Sequence, residues 1–182
     1  MFYTDNIDKT FIAMLAEDGK KNSLGRVNEV IETVLAEPSR LEELYMAMFA
    51  DDAWVRMRAA DAFEKVCRFQ PDWIQSYVDR IQTELDTSQQ ASIQWHIAQI
   101  YCEVELNDRQ KQHAVKWLAN ILKTDKIDWI VAANSMKALA YFHDKNEIDT
   151  EVFAKLLHTQ AKHSSQTIRK KASVFLASLS HK

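Results

Sequence analysis

The chain has 182 residues, a length typical of one domain or one repeat array. Only 2 residues are glycine and 2 are proline, which is too few turn formers for the many tight hairpins of an all-β fold. Hydrophobic residues make up 47% and charged residues 27%, a mixture that closes a core and excludes a disordered chain. The net charge of -3 argues against a nucleic-acid binder that is basic as a whole.

Cysteine usage and the first residues indicate the compartment. Cys67 and Cys102 have no Cys-x-x-Cys spacing and no histidine pair nearby, so we expect reduced, buried thiols. Residues 1–8 are acidic where a signal peptide is basic, and no run approaches the roughly 18 consecutive apolar residues of a membrane span. The sequence therefore predicts a cytoplasmic protein that does not enter a membrane.

Apolar residues recur every three or four positions almost throughout the chain, which is the spacing of amphipathic helices. The fold class is therefore predicted to be all-α. Pro38 and Pro71 stand at helix-opening positions. Short polar side chains that accept backbone N–H bonds mark six further starts: Ser23, Asp52, Ser88, Asp108, Asp128 and Ser164. The predicted helices are 7–18, 24–36, 39–49, 52–69, 72–85, 88–104, 108–123, 127–142, 147–161 and 165–179.

One helical pattern recurs along the chain. The helix that begins at Asp52 is matched at offsets of 38, 76 and 113 residues, and each copy follows another helix with an apolar face. The predicted unit is a helical hairpin of about 38 residues, joined to its neighbours by short connections and without a linker. At the buried position of Val55 the copies have Ile93, Val131 and Ile168.

The first copy, Asp52-Ala53-Trp54-Val55-Arg56-Met57-Arg58-Ala59-Ala60-Asp61-Ala62-Phe63, resembles the second helix of HEAT and HEAT-like repeats, Asp-x-x-Val-Arg-x-x-Ala-Ala-x-Ala-Leu. The later copies depart from this pattern: Gln90 and Ser165 replace the aspartate, and Gln94 and Ala132 replace the arginine. The resemblance covers about residues 38 to 180. It implies a single domain, residues 1–182, that forms a right-handed α-α superhelix (solenoid) of about four hairpins. Residues 1–37 are then an N-terminal capping helix pair, and 38–182 are the repeats.

The resemblance also implies roles for individual residues. A ladder of hydrogen bonds between neighbouring repeats is expected from Asp52, Arg56, Asp128 and Arg169. Second helices are expected to line the concave surface, which is the usual binding face of a solenoid.

A rotation of 100° per residue places several large apolar side chains on the side of the second helices that is opposite their buried face. They are Trp54, Met57, Trp95, Trp129 and Ile130, here called the concave strip. An exposed apolar strip with tryptophan anchors is typical of a protein interface, whereas the alternative is that these rings pack between repeats as core. A polar row at the border of the buried face comprises Arg58, His96, Asn134 and Lys171. It suits an acidic peptide or a phosphate, unless it is only a solvated edge.

No motif identifies a reaction: the sequence has no Gly-rich phosphate loop and no His-x-x-x-His pair. We therefore expect a non-enzymatic scaffold, monomeric or homodimeric, that uses no cofactor or metal. It is expected to bind a peptide or helix of another, unidentified protein through the concave strip, with polar contacts from Arg58, His96 and Asn134. Two alternatives stay open: a HEAT-like DNA-binding or DNA-alkylation-repair protein, against which the net charge stands, and a HEAT-like lyase that modifies pigments. A basic cluster at Lys155, Lys162, Arg169, Lys170, Lys171 and Lys182 could hold phosphates weakly.

Overall fold

The structure is a computed structural model that describes residues 10–17 and 23–179. Over these ranges the chain is helical and has no strand, which confirms the all-α class. The helices are α1 (Phe11–Ala16), α2 (Val27–Ala36), α3 (Leu41–Ala47), α4 (Ala53–Phe69), α5 (Pro71–Ile74), α6 (Val78–Arg80), α7 (Ala91–Glu103), α8 (Asp108–Leu122), α9 (Trp129–Asp144), α10 (Thr150–Gln160) and α11 (Gln166–Leu179). The predicted ends of helix 7–18 lie outside the described residues.

The helix starts show which polar residues act as caps. The Asp52 carboxylate accepts from the backbone N–H groups of Trp54 and Val55, as predicted. Asp128 makes the same two contacts at the start of α9. The helix predicted from Asp108 does begin there, but its cap is Asn107 and not Asp108, in a reciprocal capping box with Gln110.

The helix predicted over 72–85 is interrupted. It consists of α5, a 3₁₀ turn (Gln75–Tyr77), α6 and a π turn (Ile81–Leu85). Within the π turn Gln82 is buried, and its Nε2 donates to the carbonyl oxygen of Gln110 at 2.9 Å. The buried residues Ile74, Val78, Ile81 and Leu85 keep a spacing of three or four residues through these turns, so the apolar pattern carries no signal of the interruption.

The described residues group into two compact units that divide between Pro71 and Asp72. The absence of a Gly-, Ser- or Pro-rich linker gives no sign of this division in the sequence. In the first unit α4 packs against α1, α2 and α3, and its predicted face of Val55, Ala59 and Phe63 is fully buried.

In the second unit the helices pack in a regular order. Helix α7 contacts α9, α9 contacts α11, and α8 contacts α10. The hairpin partners α8 and α9, and α10 and α11, also pack together. The repeated apolar position is buried in each of the second helices, at Ile93, Val131 and Ile168. This packing is compatible with a helical repeat fold.

Candidate interaction surface

The second unit has one continuous helical face that its own core does not cover. Helices α7, α9 and α11 pack in that order, and each has partly or fully exposed residues opposite its buried side. We call these residues the second-helix face: Trp95, Gln99, Cys102, Ile130, Ala133, Lys137, Ala140, Tyr141, Lys170, Val174 and Ala177.

Trp129 is the most exposed tryptophan among the described residues. It is 52% exposed and lies at the first position of α9, next to the half-buried Ile130 of the second-helix face. The Asp128 cap fixes the backbone at this point. Trp95 is half-buried, and its ring packs against that of His96 with the centroids 5.4 Å apart. Trp129 is therefore available to a partner, whereas Trp95 presents only part of its ring.

The other two residues of the predicted concave strip, Trp54 and Met57, belong to the first unit. Both are half-buried on α4. Asp61 and Lys65 follow on the same side of that helix and form an ion pair of 2.7 Å. This part of the strip is thus flanked by a balanced pair of charges.

The expectation that Arg58 lies at a solvent border is corrected by the structure. Arg58 is 2% exposed. Its Nε donates to the carbonyl oxygen of Ser23 at 2.8 Å, and Nη1 donates to those of Leu15 and Glu17. The carbonyl groups at the end of α1 have no partner within that helix, and the guanidinium supplies one. Arg58 therefore fastens α1 and the residues before α2 to α4.

The remaining members of the polar row differ in accessibility. His96 is 7% exposed, which corrects its expected place at the border. Asn134 is half-buried and uses its Nδ2 to donate to the carbonyl oxygen of Ile130 at 2.9 Å. Lys171 is exposed. Of the four side chains, only the Lys171 ammonium is open to solvent as the sequence led us to expect.

The four residues expected to form an inter-repeat ladder bind groups of their own hairpin. Asp52 and Asp128 are N-caps, as described above. The Nη1 atom of Arg56 donates to the carbonyl oxygens of Ala50 and Asp51 at 2.7 and 2.8 Å. Arg169 does the same with His163 and Ser164, both at 2.7 Å. These bonds close the turn that precedes each helix.

Two other residues, both buried and polar, make contacts between hairpins. The Nε2 atom of Gln160 donates to the carbonyl oxygens of Leu122 and Thr124 at 2.9 and 2.8 Å. His163 Nε2 lies 2.9 Å from the carbonyl oxygen of Ile127, while its Nδ1 accepts from the Ser165 N–H. These contacts define a neutral ring protonated on Nε2. They hold the loop that leads into Trp129, and nothing in the sequence pattern separates Gln160 and His163 from the other polar residues near them.

Two features of the described residues concern metal binding and thiol chemistry. No group of three or more histidine, cysteine, aspartate or glutamate residues within 10–17 and 23–179 is arranged to hold a metal ion. Burial raises the pKa of the Cys102 thiol to about 11, despite the nearby Lys137, so this thiol is protonated at neutral pH. Cys67 is buried completely, as expected, whereas Cys102 is only partly buried, which corrects the expectation for that thiol. In the same ranges no helix has the length and apolar character needed to span a bilayer.

No family model, curated protein or solved structure matches this chain. The resemblance to HEAT repeats therefore depends on the sequence pattern quoted above and on the order in which the helices pack. Function has to be inferred from the second-helix face itself.

Proposed function

We propose that this chain is a non-enzymatic, cytoplasmic interaction module that binds an acidic segment of another protein through the second-helix face and Trp129. The hairpins would stack as a right-handed HEAT-like solenoid, with α7, α9 and α11 on the concave side. The side-by-side contacts from α7 to α9 and from α9 to α11 support this arrangement.

The exposure of Trp129 is the observation that carries the proposal. A tryptophan that leaves 52% of its surface in water forgoes much of the stabilisation that burial would provide. Tryptophan is also the residue type most enriched among interface anchors. Ile130, next to Trp129 in α9, and Trp95 in α7 add further apolar surface. A side chain of the partner would lose its water of hydration there.

The charges of the face favour an acidic partner. Lys137 and Lys170 of the second-helix face are exposed on α9 and α11, and Lys171 is exposed next to Lys170. From residue 152 to the last residue the sequence has no aspartate or glutamate, so no acidic residue close in sequence neutralises Lys170 and Lys171. Lysine ammonium groups beside apolar anchors suit a segment that alternates carboxylates with aliphatic or aromatic residues. Such ammonium groups chiefly raise the association rate and set the orientation of the partner, while the apolar anchors provide the affinity.

The test is affinity capture from the lysate of the source organism, quantified by mass spectrometry. The bait variant is Trp129→Ala with Lys137→Glu. The matched control is Val152→Ala with Lys155→Glu, which changes an exposed apolar residue and an exposed lysine on α10, outside the second-helix face. Both variants are checked by circular dichroism and thermal unfolding before use.

A protein retained by the wild type and by the control, but lost by the face variant, supports the proposal. Equal retention by all three baits places the interface elsewhere and contradicts it. A second candidate, nucleic-acid binding through the basic residues after position 152, predicts instead a salt-dependent mobility shift of labelled duplex DNA. That shift, with no captured protein, would replace the proposal.

A further inference from the structure

A cavity of about 260 Å³ lies where α7 ends, α8 begins and α9 ends. Tyr101, Val104 and Phe142 form its buried apolar part, and Leu106 is half-buried beside them. The volume is just below the roughly 300 Å³ at which typical small-molecule sites begin. A ligand of this cavity is therefore small.

Two capping motifs give the cavity walls a defined shape. Asn146, at φ 60°, ends α9 in the left-handed region. The N–H of Asn146 donates to the carbonyl oxygen of His143, and that of Glu147 to Phe142, both at 2.9 Å. This pair of bonds is a Schellman motif. Across the cavity, the capping box of Asn107 fixes the start of α8.

The Schellman turn brings Glu147 to Lys111 of α8, with its carboxylate 2.7 Å from the ammonium group. Asp108 lies 3.0 Å from the same ammonium group. Hydrogen bonds to these two carboxylates raise the pKa of Lys111, and the bond to Glu147 contributes more than the bond to Asp108. The ammonium group of Lys111 is thus paired with two carboxylates of the protein, and we do not assign it to a ligand.

Two other charged residues of the lining are differently placed. The Lys145 ammonium lies 4.5 Å from the centroid of the Tyr141 ring, and Glu105 is exposed in the connection between α7 and α8. Within the part of the chain that the structure describes, neither side chain has an ion-pair partner. The cavity therefore combines an apolar floor with one available cation and one available anion.

We propose that this cavity binds a free, zwitterionic amino acid with an apolar side chain. The side chain would lie against Leu106 and Val104, the carboxylate would pair with Lys145, and the ammonium group would pair with Glu105. The carbonyl ends of α7 and α9 also favour a cationic group at this edge. Neither Trp129 nor Ile130 lines this site, but Tyr141 of the second-helix face does, so the two proposed sites meet at Tyr141.

The experiment is isothermal titration calorimetry of the full chain with L-leucine as the probe. Two analogues each remove one charge: N-acetyl-L-leucine lacks the ammonium group and L-leucinamide lacks the carboxylate. The variants Glu105→Gln and Lys145→Gln change exposed side chains, so the fold is retained. Glu151→Gln and Lys155→Gln, on the exposed side of α10 and outside the cavity lining, are the matched controls.

We expect saturable binding of L-leucine with a dissociation constant on the order of 1 mM, weakened about tenfold by either cavity variant and unchanged by either control. Both analogues should bind about tenfold more weakly than leucine. Absence of saturable binding overturns the proposal, as does binding that is indifferent to Glu105→Gln and Lys145→Gln. Binding of leucinamide as tight as that of leucine would also overturn it, because the site would then recognise the amino terminus of a peptide.

Discussion

Arg56 and Arg169 are separated by 113 residues, yet their guanidinium groups make the same two hydrogen bonds. Each Nη1 donates to the carbonyl oxygens six and five residues earlier in the chain. Of the two intermediate copies, one has Ala132 at this position and the other has Gln94, whose Nε2 donates to the carbonyl oxygen of Ser88, again six residues earlier at 2.9 Å. The weak sequence period therefore corresponds to a repeated contact with the preceding turn, made by arginine in two copies and glutamine in one.

This equivalence predicts the outcome of two substitutions at position 169. Arg169→Gln should change the free energy of unfolding by less than about 0.5 kcal/mol, because an amide at this position can still donate to the turn. Arg169→Leu should cost about 1 kcal/mol, because the carbonyls of His163 and Ser164 lose their donor. Urea unfolding of both variants measures the difference. Equal losses for glutamine and leucine would show that the hydrogen bonds are not what stabilises this position.

Arg58 should be the most sensitive charged residue of the first unit. Replacing it by methionine retains the packing of the stem but removes the donor for the carbonyls of Leu15, Glu17 and Ser23. We expect a loss of about 3 kcal/mol in the free energy of unfolding, with faster hydrogen exchange in α1 and α4.

Arg109→Met is the control for this loss. Arg109 pairs with Asp79 at 2.8 Å on the surface, and its side chain is 70% exposed, so its replacement should cost less than about 1 kcal/mol. A similarly small loss in the free energy of unfolding for both variants would contradict the proposed role of Arg58.

His163, in the turn between α10 and α11, should stabilise the packing of this hairpin against the loop that precedes α9. His163→Ala leaves the carbonyl oxygen of Ile127 and the N–H of Ser165 without their side-chain partner, which should cost about 2 kcal/mol. His158→Ala, in the same hairpin but exposed, should be neutral within about 0.5 kcal/mol. Thermal unfolding compares the two variants. If His158→Ala destabilises the protein as much as His163→Ala does, the contact between His163 and Ile127 is not what stabilises this hairpin.

Cys102 should be unreactive at neutral pH. Its pKa is raised from 9.0 to about 11 by burial, so below pH 9 the thiol is protonated in both the folded and the unfolded chain. Between pH 9 and 11 the unfolded chain loses this proton first, and the contribution of Cys102 to stability therefore falls as the pH rises. Mass spectrometry of iodoacetamide-treated Cys67→Ala protein should show alkylation of Cys102 that increases steeply across this window. Rapid alkylation at pH 7.5 would contradict the assignment of a partly buried thiol that is protonated at neutral pH.

Local signals in the sequence were sufficient for much of the fold. The spacing of Val55, Ala59 and Phe63 predicts the buried face of α4, and Asp52 and Asp128 predict its start and that of α9. Such features depend on neighbours within one or two turns, which the sequence displays directly. The break at the π turn around Gln82 depends on a partner in α8 and has no local signal.

The candidate site was less predictable because exposure is a property of packing between helices. Arg58 and Lys171 occupy equivalent positions in the helical pattern, but a carbonyl-rich segment of α1 covers the first and solvent surrounds the second. The cavity beside Tyr101 requires three chain segments to meet, and the sequence indicated only the helix start at Asp108, one residue after the Asn107 cap. Trp129 could be proposed from its helical position, but its exposure needed the structure.

Site-specific photocrosslinking tests the proposed interface most directly, because it needs no loss of stability to report contact. A photoreactive benzophenone amino acid replaces Lys137 on α9, Lys170 on α11 or, as the control, Lys155 on α10, all of which are exposed. We expect positions 137 and 170 to capture the same protein in vivo and position 155 to capture none. Capture from position 155 alone, or equal capture from all three positions, would contradict a partner bound on the second-helix face.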